Sequence, residues 1–280
     1  MKNILITILG LLLLGGSWYY YSSQKYEVIK VELPPAQEYQ DFEESFEPEI
    51  EPVEEGAPIN EDDEEGVPPT DLLADAEVLG EKIEEEPGLL VIDNINLAVP
   101  FISQAPSGNW DQPFQDACEE ASVLMVDYYY QEKDFPSQVE VESILLEMVG
   151  WQEENLGGHF DLPTAEVSEY AQATFGYQTE VINDLTAEKI RSLLNQGIPV
   201  IIPADGHKLE NPFFSNDGPD YHMLVIKGYV DDKFITNDPG TRHGADFVYT
   251  EENLMYSIGD WDKDAHSATG PKLGLVLYRK

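Results

Sequence analysis

Cys118 is the only cysteine of this 280-residue chain, and it falls in the first turn of a predicted helix. Asp116 is a suitable N-cap, Glu119 follows three residues later as in a capping box, and apolar residues then recur at helical spacing. A thiol at a helix N-terminus lies at the positive end of the helix dipole, which favours the nucleophilic thiolate. The alternative is a small buried hydrophobic side chain, because free cysteine is among the most buried residue types.

A nucleophilic cysteine needs a base within hydrogen-bond reach and a third group that orients the base. His222 begins an apolar run, HMLVIKGYV, which predicts a buried strand that ends in a turn of two aspartates. The next predicted strand, KFITN, leads to Asp238 in a tight NDPG turn. Because a short hairpin joins the two strands, we expect His222 and Asp238 to lie close together.

The chemistry also needs a donor for the oxyanion that forms during attack on a carbonyl. Gln104 lies in a predicted loop upstream of Cys118, and its neutral amide is a suitable donor. Gln112 and Gln115 have the same side chain and lie closer to Cys118 in the sequence, so they remain alternatives.

The chain resembles a papain-like cysteine peptidase in four features and in their order: Gln104, Cys118 on a helix, the strand that begins at His222 and the Asp238 turn. The more specific resemblance is to the peptidases that process bacteriocins at double-glycine leaders and to their stand-alone relatives. It covers roughly residues 97–280. The resemblance implies that Cys118 is the nucleophile, His222 the general base, Asp238 the orienting acid and Gln104 the oxyanion donor.

The predicted elements agree with that fold. Helices come first, beginning near Cys118, Ser137 and Pro163, and strands cluster late, with the last at Leu273–Tyr278. This order predicts an α+β domain over residues 95–280, with N-terminal helices followed by an antiparallel sheet, as a papain-like fold requires.

The part of the chain before this domain consists of two segments that differ in composition. Residues 1–21 are almost uncharged and apolar and end in an aromatic cluster, which predicts an uncleaved single-pass membrane anchor; a cleaved signal peptide is the alternative. Residues 22–94 are acidic and punctuated by proline, which predicts a disordered linker. We therefore expect an extracytoplasmic domain tethered to the cell membrane, or a secreted one.

The charge restricts the partners. Fifty-five acidic and 15 basic residues give a formal net charge of -40, so nucleic acid is not an expected partner. No cofactor or metal site is predicted, because no histidine and cysteine cluster has ligand spacing. We expect a monomer that acts on a peptide or protein substrate. The competing function is a catalytically inactive papain-like module for binding or adhesion at the cell surface.

Overall fold

The computed structural model describes residues 26–43 and 94–279. The predicted anchor, residues 1–21, and most of the predicted linker, residues 22–94, lie outside these two ranges. Within the described ranges, no helix combines the length and apolar character that a membrane crossing needs.

The helices of the described residues are mostly those that the sequence predicts. Ser137 and Glu140 form a capping box at the start of the second long helix, and Gly176 ends the third with a φ of 75°. The second long helix continues through Gly150 to Asn155. The helices are α1 (Gln40–Glu43), α2 (Cys118–Gln131), α3 (Gln138–Asn155), α4 (Thr164–Phe175), α5 (Ala187–Leu194), α6 (Gly206–Leu209) and α7 (Glu251–Ser257), with 3-10 turns at Phe114–Asp116 and Ser215–Asp217.

Seven strands form one antiparallel sheet, which confirms the predicted α+β order. The sheet order is β2-β7-β3-β4-β5-β6, and β1 pairs with the far end of β4. The first strand is Asn94–Asn96, at the start of the predicted domain. The strands are β1 (Asn94–Asn96), β2 (Gln178–Asn183), β3 (Val200–Ala204), β4 (His222–Val230), β5 (Lys233–Asn237), β6 (Phe247–Thr250) and β7 (Leu273–Tyr278).

Helix α2 packs on the sheet and so brings its first turn to the start of β4. The buried Ser122 hydroxyl, one turn after Cys118, donates to the carbonyl oxygen of Met223 at 3.2 Å. At the other end of the helix, the Tyr130 hydroxyl donates to the carbonyl oxygen of Leu277 at 2.6 Å. Both buried polar groups are thereby satisfied, which fixes the helix along its length against two strands.

Residues 37–43 pack on the domain, which corrects the predicted linker over this stretch. The amide of Gln37 donates to the carbonyl oxygen of Asn96 at 2.8 Å, and α1 follows directly. The Tyr39 ring meets the Tyr130 ring edge-on, with centroids 4.8 Å apart. Phe42 is only 8% exposed. Tyr39 and Phe42 thus supply apolar surface that packs this part of an otherwise acidic segment against the domain.

Candidate active site

Strands β4 and β5 deliver His222 and Asp238 to the same end of the sheet, as predicted. Nε2 of His222 lies 2.8 Å from Oδ1 of Asp238, and both residues are buried. Gly240, in the following turn, allows this approach, because a Cβ there would lie 2.8 Å from Cε1 of His222. The turn therefore requires glycine for close packing against the imidazole ring.

Asp238 is held by four hydrogen bonds. Oδ1 accepts from His222 and from the Gly240 amide at 3.0 Å, while Oδ2 accepts from Nδ2 of Asn211 at 3.0 Å and from the Tyr249 hydroxyl at 2.7 Å. Burial by itself raises the pKa of Asp238, but the His222 charge and these hydrogen bonds bring the pKa below its ordinary value. An ionised carboxylate accepts the proton of Nε2, so Nδ1 of His222 is the basic nitrogen.

Neither Asn211 nor Tyr249 is predicted from the sequence to belong to the site. Nδ2 of Asn211 also lies 2.9 Å from the Tyr249 hydroxyl, so the two side chains support one another. Asn211 comes from a loop before β4, and Tyr249 comes from β6. For Tyr249, one feature points to the site: it lies on a strand next to the one that leads to Asp238, and its buried ring carries a polar hydroxyl group.

Cys118 is the first residue of α2 and lines the same cavity as His222. The predicted capping box is wrong, because Ala117 is the N-cap and Asp116 lies in a 3-10 turn. Glu119 has a different role: Sγ of Cys118 donates to its Oε2 at 3.0 Å. The other oxygen of Glu119 accepts from the Leu162 amide at 2.9 Å.

The thiol is buried in an acidic environment. Burial, followed by the charge of Glu119, raises the pKa of the Cys118 thiol well above its ordinary value. The predicted low thiol pKa is therefore wrong for this arrangement, because desolvation and a neighbouring carboxyl outweigh the helix dipole. Burial and Asp161 raise the pKa of Glu119 to about 8, and burial, Asp116 and Asp220 raise the pKa of Asp161 to about 7.

Gln104 also lines this cavity, and its backbone ties the loop to the turn that follows Asp238. The Gln104 amide donates to the carbonyl oxygen of Pro239 at 3.0 Å. Its side-chain Nε2 donates to the carbonyl oxygens of Phe114 at 3.1 Å and Gln115 at 2.7 Å. Both amide protons are thus used to hold the 3-10 turn that precedes Cys118. Oε1 is buried and has no hydrogen-bond partner in residues 26–43 and 94–279.

The two alternative glutamines lie in different places. Gln115 is exposed and its side chain lines the cavity beside Gln104. Gln112 does not line the cavity, and its Nε2 donates to Oδ2 of Asp116 at 2.7 Å. Of the two, only Gln115 has a side chain that a substrate in the cavity could contact.

The cavity has a volume of about 1000 Å³ and brings together three of the four predicted site residues; the fourth, Asp238, lies beneath His222 and is fully buried. Its lining carries charge of both signs. Three carboxyl groups, one guanidinium group and three imidazole groups belong to it. These ionisable lining residues are Asp116, Asp161, Asp220, Arg242, His207, His222 and His243.

The remaining histidines differ in their relation to this cavity. His159 does not line it, and its Nδ1 lies 3.0 Å from Oε1 of Glu153. His207 lines it, with Nε2 3.1 Å from Oδ1 of Asp220. Among these side chains, only His222 combines a buried carboxylate partner with a place in the cavity that Cys118 also lines.

The α+β order of elements, together with a cysteine at a helix start and a histidine and aspartate at a strand end, defines a papain-like cysteine peptidase fold. A model described as the Peptidase_C39 like family matches residues 96–268, and the chain belongs to that family. A solved structure from Bacillus anthracis, described as a candidate C39-like peptidase, is 14% identical. The match covers 67% of this chain and 98% of that one, with a TM-score of 0.44. No protein with curated annotation matches the chain.

Proposed function

We propose that this protein is an exported cysteine peptidase that hydrolyses peptide bonds through Cys118, His222 and Asp238. The observation that carries the proposal is the shared cavity of Cys118 and His222, with Asp238 holding the imidazole ring at 2.8 Å. Membership of the C39-like family supports the coarser statement, cysteine peptidase chemistry.

Each group has a defined part in the reaction. Nδ1 of His222 takes the proton of the Cys118 thiol, and Sγ attacks the carbonyl carbon of the peptide. The carbon–nitrogen bond breaks as His222 returns the proton to the leaving amine, which leaves an acyl group on Sγ. Water, activated by the same nitrogen, then cleaves this thioester. Asp238 keeps the ring in the required tautomer and stabilises the imidazolium. Amidase or transpeptidase use of the acyl intermediate follows the same steps with a different substrate or acceptor.

The proposed oxyanion donors are the backbone amide of Cys118, at the start of α2, and the side-chain amide of Gln104. Gln104 is engaged with the carbonyl oxygens of Phe114 and Gln115 in the free protein. The longer of these bonds, at 3.1 Å to Phe114, is the one that we expect Gln104 to exchange for the substrate oxygen. Such donors act mainly on the charge that develops in the transition state.

The proposed location is outside the cell membrane. It rests on the sequence of residues 1–21, which favours a single-pass anchor, and on the acidic composition of the following segment. A secreted form, with the first residues removed as a signal peptide, is the alternative. The proposed partner is a peptide or protein substrate, and the proposed state is a monomer.

The test is cleavage of a synthetic peptide library by the full chain, read by mass spectrometry. Cys118→Ala and His222→Ala should lose turnover by at least about a hundredfold, whereas His159→Ala, a histidine outside the cavity, should retain it. Cleavage by Cys118→Ala at the wild-type sites and rates would refute the proposal. Peptide binding with no cleavage by the wild-type protein would instead favour the inactive binding module.

A further inference from the structure

The Glu119 side chain contacts Cys118 but is not a member of the proposed triad. It is 1% exposed, and its two oxygens face different partners. Oε1 accepts from the backbone amide of Leu162 at 2.9 Å, and Oε2 lies 3.0 Å from Sγ of Cys118. In a neutral carboxylic acid the carbonyl oxygen accepts and the hydroxyl oxygen donates. Because Oε1 accepts from the Leu162 amide, the proton of a neutral Glu119 lies on Oε2, the oxygen that accepts the hydrogen bond of the resting Cys118 thiol and can donate once the sulfur has lost its proton.

We propose that Glu119 is a positioning residue for the thiolate, and that it works only in its neutral form. When His222 takes the thiol proton, the neutral Glu119 carboxyl donates a hydrogen bond to Sγ and stabilises the negative sulfur. Glu119 keeps its own proton throughout, so the proton balance of the reaction is unchanged. This inference rests on the proposed function, in which Cys118 is the nucleophile.

Burial and the charge of Asp161 favour the neutral form of Glu119 and outweigh the hydrogen bonds from Cys118 and Leu162, which favour the charged form. Cys118 and Glu120 lie on its own helix, Asp161 lies on the loop before α4, and Tyr221 precedes β4. No ion pair within the described stretches of chain includes Glu119. Burial, and then the charge of Asp161, raises the pKa of Glu119 to about 8. Glu119 is therefore neutral below that pH.

Ionisation of Glu119 should suppress the thiolate. A carboxylate 3.0 Å from a thiolate in a dry site places two like charges in contact, and one of them must then be protonated. As the pH rises through about 8, the charge that appears on Glu119 opposes the charge on sulfur. The reactivity of Cys118 should consequently stop rising over the range in which an ordinary cysteine becomes more reactive.

The experiment uses iodoacetamide, which reports on Cys118 alone because the chain has no other cysteine. Glu119→Gln keeps both contacts without a charge, since an amide oxygen can accept from Leu162 and an amide nitrogen can donate to sulfur. Alkylation of the wild type and Glu119→Gln should agree within about threefold below pH 7. Between pH 8 and 10, Glu119→Gln should react at least about tenfold faster. Glu120→Gln, the adjacent buried acid, should follow the wild-type profile.

Other results would overturn the proposal. If Glu119→Gln followed the wild-type profile above pH 8, ionisation of Glu119 would not control the thiol. If Glu119→Gln reacted and turned over peptide much more slowly than wild type below pH 7, the carboxylate and not the neutral acid would be required. Glu119→Ala, which lacks the donor, should lower both rates below pH 7, where Glu119 of the wild type is neutral. If it does not fold, the comparison of Glu119→Gln with wild type still decides. Failure of the proposed function is a separate outcome, because Cys118→Ala would then still cleave peptides.

Discussion

The Tyr249 hydroxyl is the most easily isolated of the groups that hold Asp238. It donates to Oδ2 at 2.7 Å, and Tyr249→Phe removes it while keeping the buried ring. A hydrogen bond to a charged group contributes about 1.5–3 kcal/mol to stability. Because the bond favours the ionised carboxylate, its loss should raise the pKa of Asp238.

The sign of the pH dependence follows from the lowered pKa of Asp238. Its stabilising contribution is fully present above the ordinary aspartate range and is lost as the pH falls through the folded-state pKa. Tyr249→Phe should thus cost about 1.5–3 kcal/mol at pH 7.5, and less as the pH falls below about 4. The acid limb of peptide turnover should move to higher pH, because protonated Asp238 no longer orients His222.

Urea unfolding between pH 3.5 and 7.5 measures the free energy of unfolding. The pH profile of peptide turnover measures the position of its acid limb. Tyr130→Phe is the matched control, because the Tyr130 hydroxyl donates to a neutral backbone oxygen, that of Leu277. It should cost about 0.5–1.5 kcal/mol at every pH. If Tyr249→Phe also lost the same stability at every pH and left the acid limb in place, the hydroxyl would not act through the ionised carboxylate.

Three further predictions concern other parts of the domain. Gly240→Ala should lower turnover at least about tenfold, because its Cβ would displace the imidazole ring, while Gly150→Ala, with nothing within 4 Å of the added Cβ, should leave turnover unchanged. Gln104→Ala should reduce kcat by about a hundredfold to a thousandfold and Gln115→Ala much less; the reverse order would move the oxyanion role to Gln115. Phe42→Ala should destabilise the domain by about 3 kcal/mol in urea unfolding, since the ring is buried; an unchanged midpoint would mean that the segment before residue 94 contributes nothing to the fold.

The parts of the fold that depend on local periodicity were predictable from the sequence. The run from His222 is apolar over its whole length, as a central strand must be, and β4 is buried along nearly all of it. The NDPG turn follows the next strand directly, so the approach of His222 and Asp238 follows from chain geometry. Ser137 and Gly176 mark helix ends by side-chain and backbone preferences that act within a few residues.

The contacts that the sequence did not predict join residues far apart in the chain. Asn211 and Tyr249 reach Asp238 from a loop and from another strand, and no local pattern distinguishes them from other buried polar residues. Glu119 shows a different difficulty. Its spacing from Asp116 fits a capping box, but a buried thiol and the Leu162 amide compete for the same carboxyl. Tertiary contacts decided its role, because local capping contributes only about 1 kcal/mol.

Leu162 connects the two halves of the proposed site through its backbone. Its amide donates to Glu119, the neighbour of Cys118, and its carbonyl oxygen accepts from the hydroxyl of Tyr221, the neighbour of His222, at 2.8 Å. A displacement of this one residue would therefore act on the nucleophile and the base together. Asp161, the residue before it, lines the cavity, so this connection lies at the cavity wall. The positions of Glu119 and Tyr221, and through them the surroundings of Cys118 and His222, thus depend on one loop.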